Sequence, residues 1–247
     1  MLKYALLGIL QGLTEFLPVS SSGHLVIFQK LLGVAEEGVV ISVVLHAGTL
    51  FALAIFFIRD LLAILRHVRL LLFILAVTLI TGSIGIAGKD FFEGLFGSPR
   101  LVAFALIFTG LVLLVTKRSC AGTREKPGFK DALVLGLAQA TSIIPGLSRS
   151  GMTISTLLFR KFAPETSFKL SFLAAIPAIS GALLLEAGKV DLALKAHAPE
   201  LLIGFIFSFL TGLISLQVLK SILRKEKFYL FGFYCFFLAI ITLIFLR

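Results

Sequence analysis

Charged residues divide this chain into long apolar stretches. Six uncharged runs stand out, at residues 38–58, 70–88, 101–116, 170–185, 201–219 and 228–246. A helix crosses a bilayer in about 17–25 apolar residues. Each run therefore reads as a spanning helix, the fourth starting nearer Pro164 with Lys169 snorkelling near its end. Two further apolar stretches, 2–32 and 131–159, are interrupted. The first contains Pro18 and Ser20-Ser21-Ser22-Gly23; the second contains Pro145-Gly146 and Ser148-Arg149-Ser150-Gly151. Their halves, about 12–15 residues each, are too short to cross alone. Pro, Gly and Ser also disfavour a continuous helix. Each stretch is predicted to be a re-entrant helical hairpin that enters and leaves on one side. Irregular backbone at that depth is tolerated only where it is buried in protein or lines a cavity.

The two interrupted stretches resemble each other. A shift of 128 residues places Leu7-Gly8 on Leu135-Gly136, Gln11 on Gln139, Ser20 on Ser148 and Ser22-Gly23 on Ser150-Gly151. Six of the seventeen positions from Leu7 to Gly23 are identical, and the polar matches are not explained by apolar composition. This predicts an internal repeat, with one copy over about residues 1–116 and the other over about 130–246. Three spans separate the hairpins, an odd number, so the second copy is inverted and the hairpin tips meet near the midplane. The fold class is all-α: a polytopic membrane protein of six transmembrane helices and two re-entrant hairpins. It forms a single integral membrane domain over residues 1–247.

Composition agrees. The chain is 58% hydrophobic and 15% charged, where soluble domains carry about 25% charge. A soluble globular domain and a disordered chain are both excluded. A net charge of +10 would suggest nucleic acid in a soluble protein, but here it follows from a positive-inside bias. Segments 59–69, 117–131, 160–165 and 220–227, all on one predicted side, carry fourteen Lys and Arg against five acids. The opposite side carries seven of each. The basic side is expected to be cytoplasmic, with both chain ends outside. The run at 118–130 is then a cytoplasmic loop near anionic lipid. Glu15 in the first stretch and the lack of an A-x-A-like site favour mature chain over a signal peptide. Cys120 and Cys235 fall in a basic loop and an apolar run, which argues against a disulfide.

Ionisable groups at membrane depth are costly and mark function by default. Glu15, His24 and Arg149 are three such groups, all in the hairpins. Gln11 and Glu15 are four apart on one helix face and could hold a divalent cation through oxygen. The segment Ser20–His24 adds three hydroxyls and an imidazole. Around Arg149, a Ser/Gly-rich turn opens a helix whose backbone N–H groups suit an anion. The Arg149 guanidinium matches phosphate oxygens, and Ser148, Ser150 and Thr153 add hydroxyl donors. The repeat divides the labour. Glu15, Ser21 and His24 align with Ile143, Arg149 and Met152. One hairpin supplies acid, base and nucleophile candidates; the other supplies an anion clamp. His46, deep in the first span, suits either packing against a hairpin or a functional role. His67 and His197 read as loop residues, and the 25 Phe residues as lipid-facing and core packing.

With these residues in place, the whole chain resembles the bacterial undecaprenyl pyrophosphate phosphatases of the bacitracin-resistance type. Gln11–Glu15 is similar to that family's (E/Q)-x-x-x-E motif. Pro145–Thr153 is similar to its P-G-x-S-R-S-x-x-T motif, and Ser20–His24 to its S-S-S/T-G-H segment. Gln11 stands where many members have Glu, which should weaken cation binding there. The resemblance implies hydrolysis of undecaprenyl diphosphate to undecaprenyl phosphate and phosphate. That reaction recycles the lipid carrier of peptidoglycan and other cell-wall polymers. It implies Mg²⁺ or Ca²⁺ as cofactor, with Gln11 and Glu15 as the metal ligands. Gln11, Ser20, Ser22, Ser148, Ser150 and Thr153 would contact substrate. It also implies a plasma-membrane location with the site opening outward, and bacitracin resistance in which the drug competes indirectly by sequestering the substrate. A homodimer is compatible with such a chain; nucleic acid is not expected as a partner. Glu15, Ser21, His24 and Arg149 would be catalytic, with Ser21 as nucleophile and His24 as proton shuttle. The alternatives to Ser21 are attack by His24, or by metal-activated water without a covalent intermediate. The rival reading is a polyprenyl-phosphate flippase, because inverted repeats with broken hairpins also describe secondary transporters.

Overall fold

In hydrocarbon every backbone polar group must be satisfied within the chain, so long apolar runs fold as helices. The computed structural model describes residues 1–33, 38–64, 66–95, 98–119, 122–187 and 197–245. Cys120, Glu36, Glu37, Lys189, Asp191, Lys195 and Arg247 lie outside the described residues. The described residues form α1 (Leu2–Phe16), α2 (Ser21–Leu32), α3 (Gly38–Phe56), α4 (Ile58–Ile64), α5 (Val68–Ala87), α6 (Lys89–Leu95) and α7 (Pro99–Val115). They continue with α8 (Phe129–Thr141), α9 (Arg149–Phe159), α10 (Pro164–Ala187), α11 (Ala198–Arg224) and α12 (Phe231–Phe245). Among the described residues, five helices are long and apolar enough to cross a membrane: Val39–Phe56, Val68–Ala87, Pro99–Arg118, Pro164–Glu186 and Ala198–Arg224. The sixth predicted span is observed as a shorter apolar helix, Phe228–Ile244. The fourth does start at Pro164. The short helices α4 and α6 were not predicted, because each is too brief to show a period.

Small residues govern the helix contacts, as expected where lipid is as apolar as any side chain. Helix α1 packs on α11, and α11 on α3; α8 packs on α5, and α5 on α10; α7 pairs with α12. On α1, a Cβ at Gly12 would meet the Ser208 carbonyl oxygen at 2.5 Å and the Gly212 nitrogen at 2.7 Å, so only glycine allows this approach. Hydroxyls lock α11 to both neighbours: Ser215 Oγ donates to the Gly12 carbonyl of α1 at 2.7 Å, and Ser208 Oγ to the Leu45 carbonyl of α3 at 2.6 Å. In the other half, Thr81 Oγ1 lies 3.2 Å from the carbonyl oxygen of Gly136, the residue aligned with Gly8.

The two breaks fall where Pro, Gly and Ser predicted them. Residues 17–20 separate α1 from α2, and residues 142–148 separate α8 from α9. The helix that follows each break is capped alike. Gly23 N donates to Ser20 Oγ at 3.4 Å, and Gly151 N to Ser148 Oγ at 3.2 Å. Both are serine N-caps, 128 residues apart. One difference matters. Ser20 has φ of +66°, a left-handed conformation that costs a non-glycine residue about 1–2 kcal/mol. Its carbonyl helps hold it there by accepting from His24 N at 3.3 Å and His24 Nδ1 at 2.8 Å.

Charged residues predicted for one side do gather. Lys169 of α10 pairs with Asp60 of α4, and Arg224 Nε lies 2.5 Å from Glu165 Oε1. Lys169 is thus tied to a carboxylate at that end. The Asp131 carboxylate is buried and binds both Arg124, at 2.8 Å, and Arg160. Arg124 also lies over the Phe162 ring, 4.3 Å from its centroid. Burial works against ionised Asp131, but hydrogen bonds from Arg124, the Gly128 N–H and Arg160 outweigh it and hold its pKa below the usual carboxylate value.

Candidate active site

Glu15 is the centre of the site. It sits at the end of α1, and its side chain is only 6% exposed. Its oxygens face four side chains from four elements. Ser21, in the first turn of α2, donates from Oγ to Oε2 at 2.6 Å. Gln11, one turn earlier on α1, donates from Nε2 to Oε2 at 3.0 Å. Arg149, the first residue of α9, donates from Nη2 to Oε1. His46, on α3, places Nε2 3.5 Å from Oε2. A carboxylate is affordable here because it is paired and hydrogen-bonded. The Glu15–Arg149 pair joins the two interrupted segments, although 134 residues separate its members.

Two atoms in this cluster are buried without a partner among the described residues: Arg149 Nη1 and Gln11 Oε1. Such orphans are costly inside a protein and call for a ligand. Around them lie paired hydroxyls: Ser20 and Ser22 at 3.2 Å, and Ser148 and Ser150 at 3.3 Å. Their helix N-termini carry unpaired N–H groups and positive dipole ends, which suit an anion. The second turn is pinned from α7, where Thr109 Oγ1 donates to the Gly146 carbonyl at 3.2 Å and accepts from Ser148 N at 3.3 Å.

The structure thus brings Gln11, Ser21 and Arg149 into contact with Glu15. Two predicted residues are engaged elsewhere. Thr153 Oγ1 donates to the Arg149 carbonyl at 2.8 Å and accepts from Ser171 Oγ at 2.6 Å, so it fastens α9 to α10. His24 bonds neither Glu15 nor Ser21 among the described residues. Its Nδ1 donates to the Ser20 carbonyl, and its Nε2 lies 2.7 Å from Tyr234 Oη of α12. A carbonyl only accepts, so the neutral ring carries its proton on Nδ1 and accepts from the tyrosine through Nε2. The rings also stack, 5.7 Å apart.

Sequence reasoning missed Tyr234 and undervalued His46. Tyr234 was legible as one of three tyrosines in the chain, a hydroxyl inside the Phe-rich last run. His46 was legible as an ionisable group in a span. Neither signal names a partner.

For a cation, Glu15 and the orphaned Gln11 oxygen fit an ion that also takes ligands from a bound phosphate. Among the described residues no three of His, Cys, Asp and Glu converge on one point, so acids alone do not form a cage.

The chain is 41% identical to an undecaprenyl-diphosphatase of Syntrophotalea carbinolica, over 95% of this chain and 94% of that one. It is 41% identical to one from Carboxydothermus hydrogenoformans, over 97% and 95%. It is 39% identical to one from Thermotoga maritima, over 96% and 97%. The model of the family described as bacitracin resistance protein BacA matches residues 4–241. With a match that spans nearly the whole chain and includes both helix breaks, this protein belongs to the BacA family.

Proposed function

We propose that this protein hydrolyses undecaprenyl diphosphate to undecaprenyl phosphate and inorganic phosphate where the two helix breaks meet. The observation that carries this reading is the Arg149 guanidinium. Its Nη2 holds Glu15, and its Nη1 is a buried donor with no partner among the described residues. A diphosphate supplies the anion that this donor and the serine-capped helix ends fit. Relatives of about 40% identity that bear the name undecaprenyl-diphosphatase supply the substrate.

The chemistry follows from the contacts. Phosphoryl transfer needs positioning and charge neutralisation. Ser21 Oγ attacks the terminal phosphorus while Glu15, its acceptor at 2.6 Å, takes the hydroxyl proton. The P–O bond to undecaprenyl phosphate breaks, and Arg149 with the N-terminal amides of α2 and α9 steadies the charge on the transferring group. Water then attacks the phosphoserine and releases phosphate. Glu15 and Gln11 would hold Mg²⁺ or Ca²⁺, which would supply further charge neutralisation when bound. His24 and Tyr234 form a proton path beside the serine-rich turn.

The architecture behind this reading is six spans and two re-entrant hairpins in an inverted repeat. It is supported by matching contacts in the two halves: α1 on α11 answers α8 on α5, and α3 on α11 answers α10 on α5. The basic end faces the cytoplasm of a bacterial plasma membrane, and the site opens outward. An apolar groove of about 330 Å³ runs past Phe104, Phe108, Ile144 and Leu147. Its lining residue Leu147 precedes Arg149 by two positions in the chain, and the groove offers a place for the polyprenyl tail.

The test is phosphate release from undecaprenyl diphosphate by purified protein in detergent, with Mg²⁺ or Ca²⁺, with EDTA, and with Glu15→Ala. Release that needs the ion and is lost in the variant is expected. A folded, monodisperse wild type that releases none, yet moves polyprenyl phosphate across vesicles, would instead be a flippase.

A further inference from the structure

His46 has no place in the chemistry above, yet its geometry is specific. Nδ1 lies 2.7 Å from the Ser42 carbonyl oxygen, one turn back on α3. That nitrogen must donate, so in the neutral ring Nε2 carries a lone pair. The lone pair faces Glu15 Oε2 at 3.5 Å. Two acceptors so placed repel each other unless a cation lies between them, which turns both into ligands. The spacing suits this. Two ligands each about 2.1 Å from a metal lie about 3.0 Å apart at a right angle and about 3.4 Å apart at the tetrahedral angle. A histidine that donates its far N–H to a backbone carbonyl is also the common arrangement at metal centres.

A third donor is in place. The Gln11 amide lies 3.0 Å from the same Oε2, and its Oε1 is buried with no partner. Turning the amide over exchanges nitrogen for oxygen and presents Oε1 to the point that His46 and Glu15 share. The set is one imidazole, one carboxylate and one amide. It carries a single negative charge.

We propose that His46 Nε2, Glu15 Oε2 and Gln11 Oε1 together form a mixed nitrogen–oxygen divalent-cation site. Glu15 and Gln11 supply the oxygen ligands that magnesium and calcium take, and the imidazole nitrogen adds a ligand that transition ions also accept. The proposal rests on the reading of Gln11 and Glu15 as cation ligands and adds the third ligand.

Pulsed electron paramagnetic resonance on wild-type protein in detergent, loaded with less than one equivalent of Mn²⁺, tests it without turnover. Directly bound imidazole gives ¹⁴N modulation of the Mn²⁺ echo. Growth with ¹⁵N-histidine should convert that modulation, a measurement that needs no variant in a chain of four histidines. His46→Gln should remove the modulation and weaken Mn²⁺ binding at least about tenfold, while His24→Gln keeps both. His46→Asp should restore ion binding without the modulation and raise Ca²⁺ affinity. Bound Mn²⁺ with no histidine modulation, modulation that survives His46→Gln, or no Mn²⁺ bound at all would each overturn the proposal. If phosphate release persists in those cases, the phosphatase reading stands alone. If the modulation is present but no ion supports phosphate release, the cation site stands and the phosphatase reading falls.

Discussion

Removing the Arg149 guanidinium separates its two roles. In the Glu15–Arg149 pair the side chains are 6% and 14% exposed. Arg149→Ala would leave Glu15 without its guanidinium partner, held by the neutral donors Ser21 at 2.6 Å and Gln11 at 3.0 Å. Breaking a buried pair costs about 3–5 kcal/mol, because one charge remains uncompensated. At roughly 2–4 °C per kcal/mol for a chain of this size, the thermal midpoint in detergent should fall by about 6–20 °C. Turnover should fall at least about 10²-fold, the scale of one lost transition-state donor. Adding Glu15→Gln removes the stranded charge. The double variant should therefore regain most of the lost stability while its turnover stays at or below that of Arg149→Ala. Thermal midpoints read by size exclusion in EDTA, with phosphate release measured in Mg²⁺, follow both quantities. Three results would refute the reasoning. Wild-type turnover in Arg149→Ala would remove the guanidinium from the reaction. A double variant that regains turnover would reduce Arg149 to a counter-ion. A double variant as unstable as Arg149→Ala would show that Glu15 was not the source of the loss.

Two further outcomes are expected. Ser21→Ala should abolish any phosphoenzyme trapped by acid quench from radiolabelled substrate, and a full-rate enzyme after that change would eliminate attack by Ser21. Asp131 has a lowered folded-state pKa, so its stabilisation is complete above its ordinary value of 3.8 and is lost as pH falls from there through the folded value. Acid scans of the detergent melting temperature should therefore drop more steeply below that pH for wild type than for Asp131→Asn, and parallel curves would show that the cluster with Arg124 and Arg160 adds nothing.

The sequence by itself determined the helices, the breaks and the candidate charges, each for a local reason. A bilayer demands an uninterrupted apolar run, so the run at 70–88 could only become a helix like α5, Val68–Ala87. Pro18, Pro145 and their neighbouring glycines and serines cannot continue a helix, and Ser20 and Ser148 are strong caps, so both breaks were visible. Glu15 and Arg149 stood out because an idle charge at membrane depth is expensive.

Tertiary structure alone decided which of these groups meet. Arg149 and Glu15 are 134 residues apart and touch only because helix packing brings the two breaks together. Thr153 belongs to the same motif as Arg149, but Ser171 of α10 claims its hydroxyl. His24 follows the serine turn, yet the left-handed Ser20 directs its ring toward Tyr234 of α12. His46 reaches Glu15 because α3 and α1 both pack on α11, where glycine and hydroxyl side chains permit close approach. Periodicity and burial cost act along a single segment and can be read from it. Partnership depends on the rotation and spacing of helices from distant parts of the chain, and only their packing fixes those.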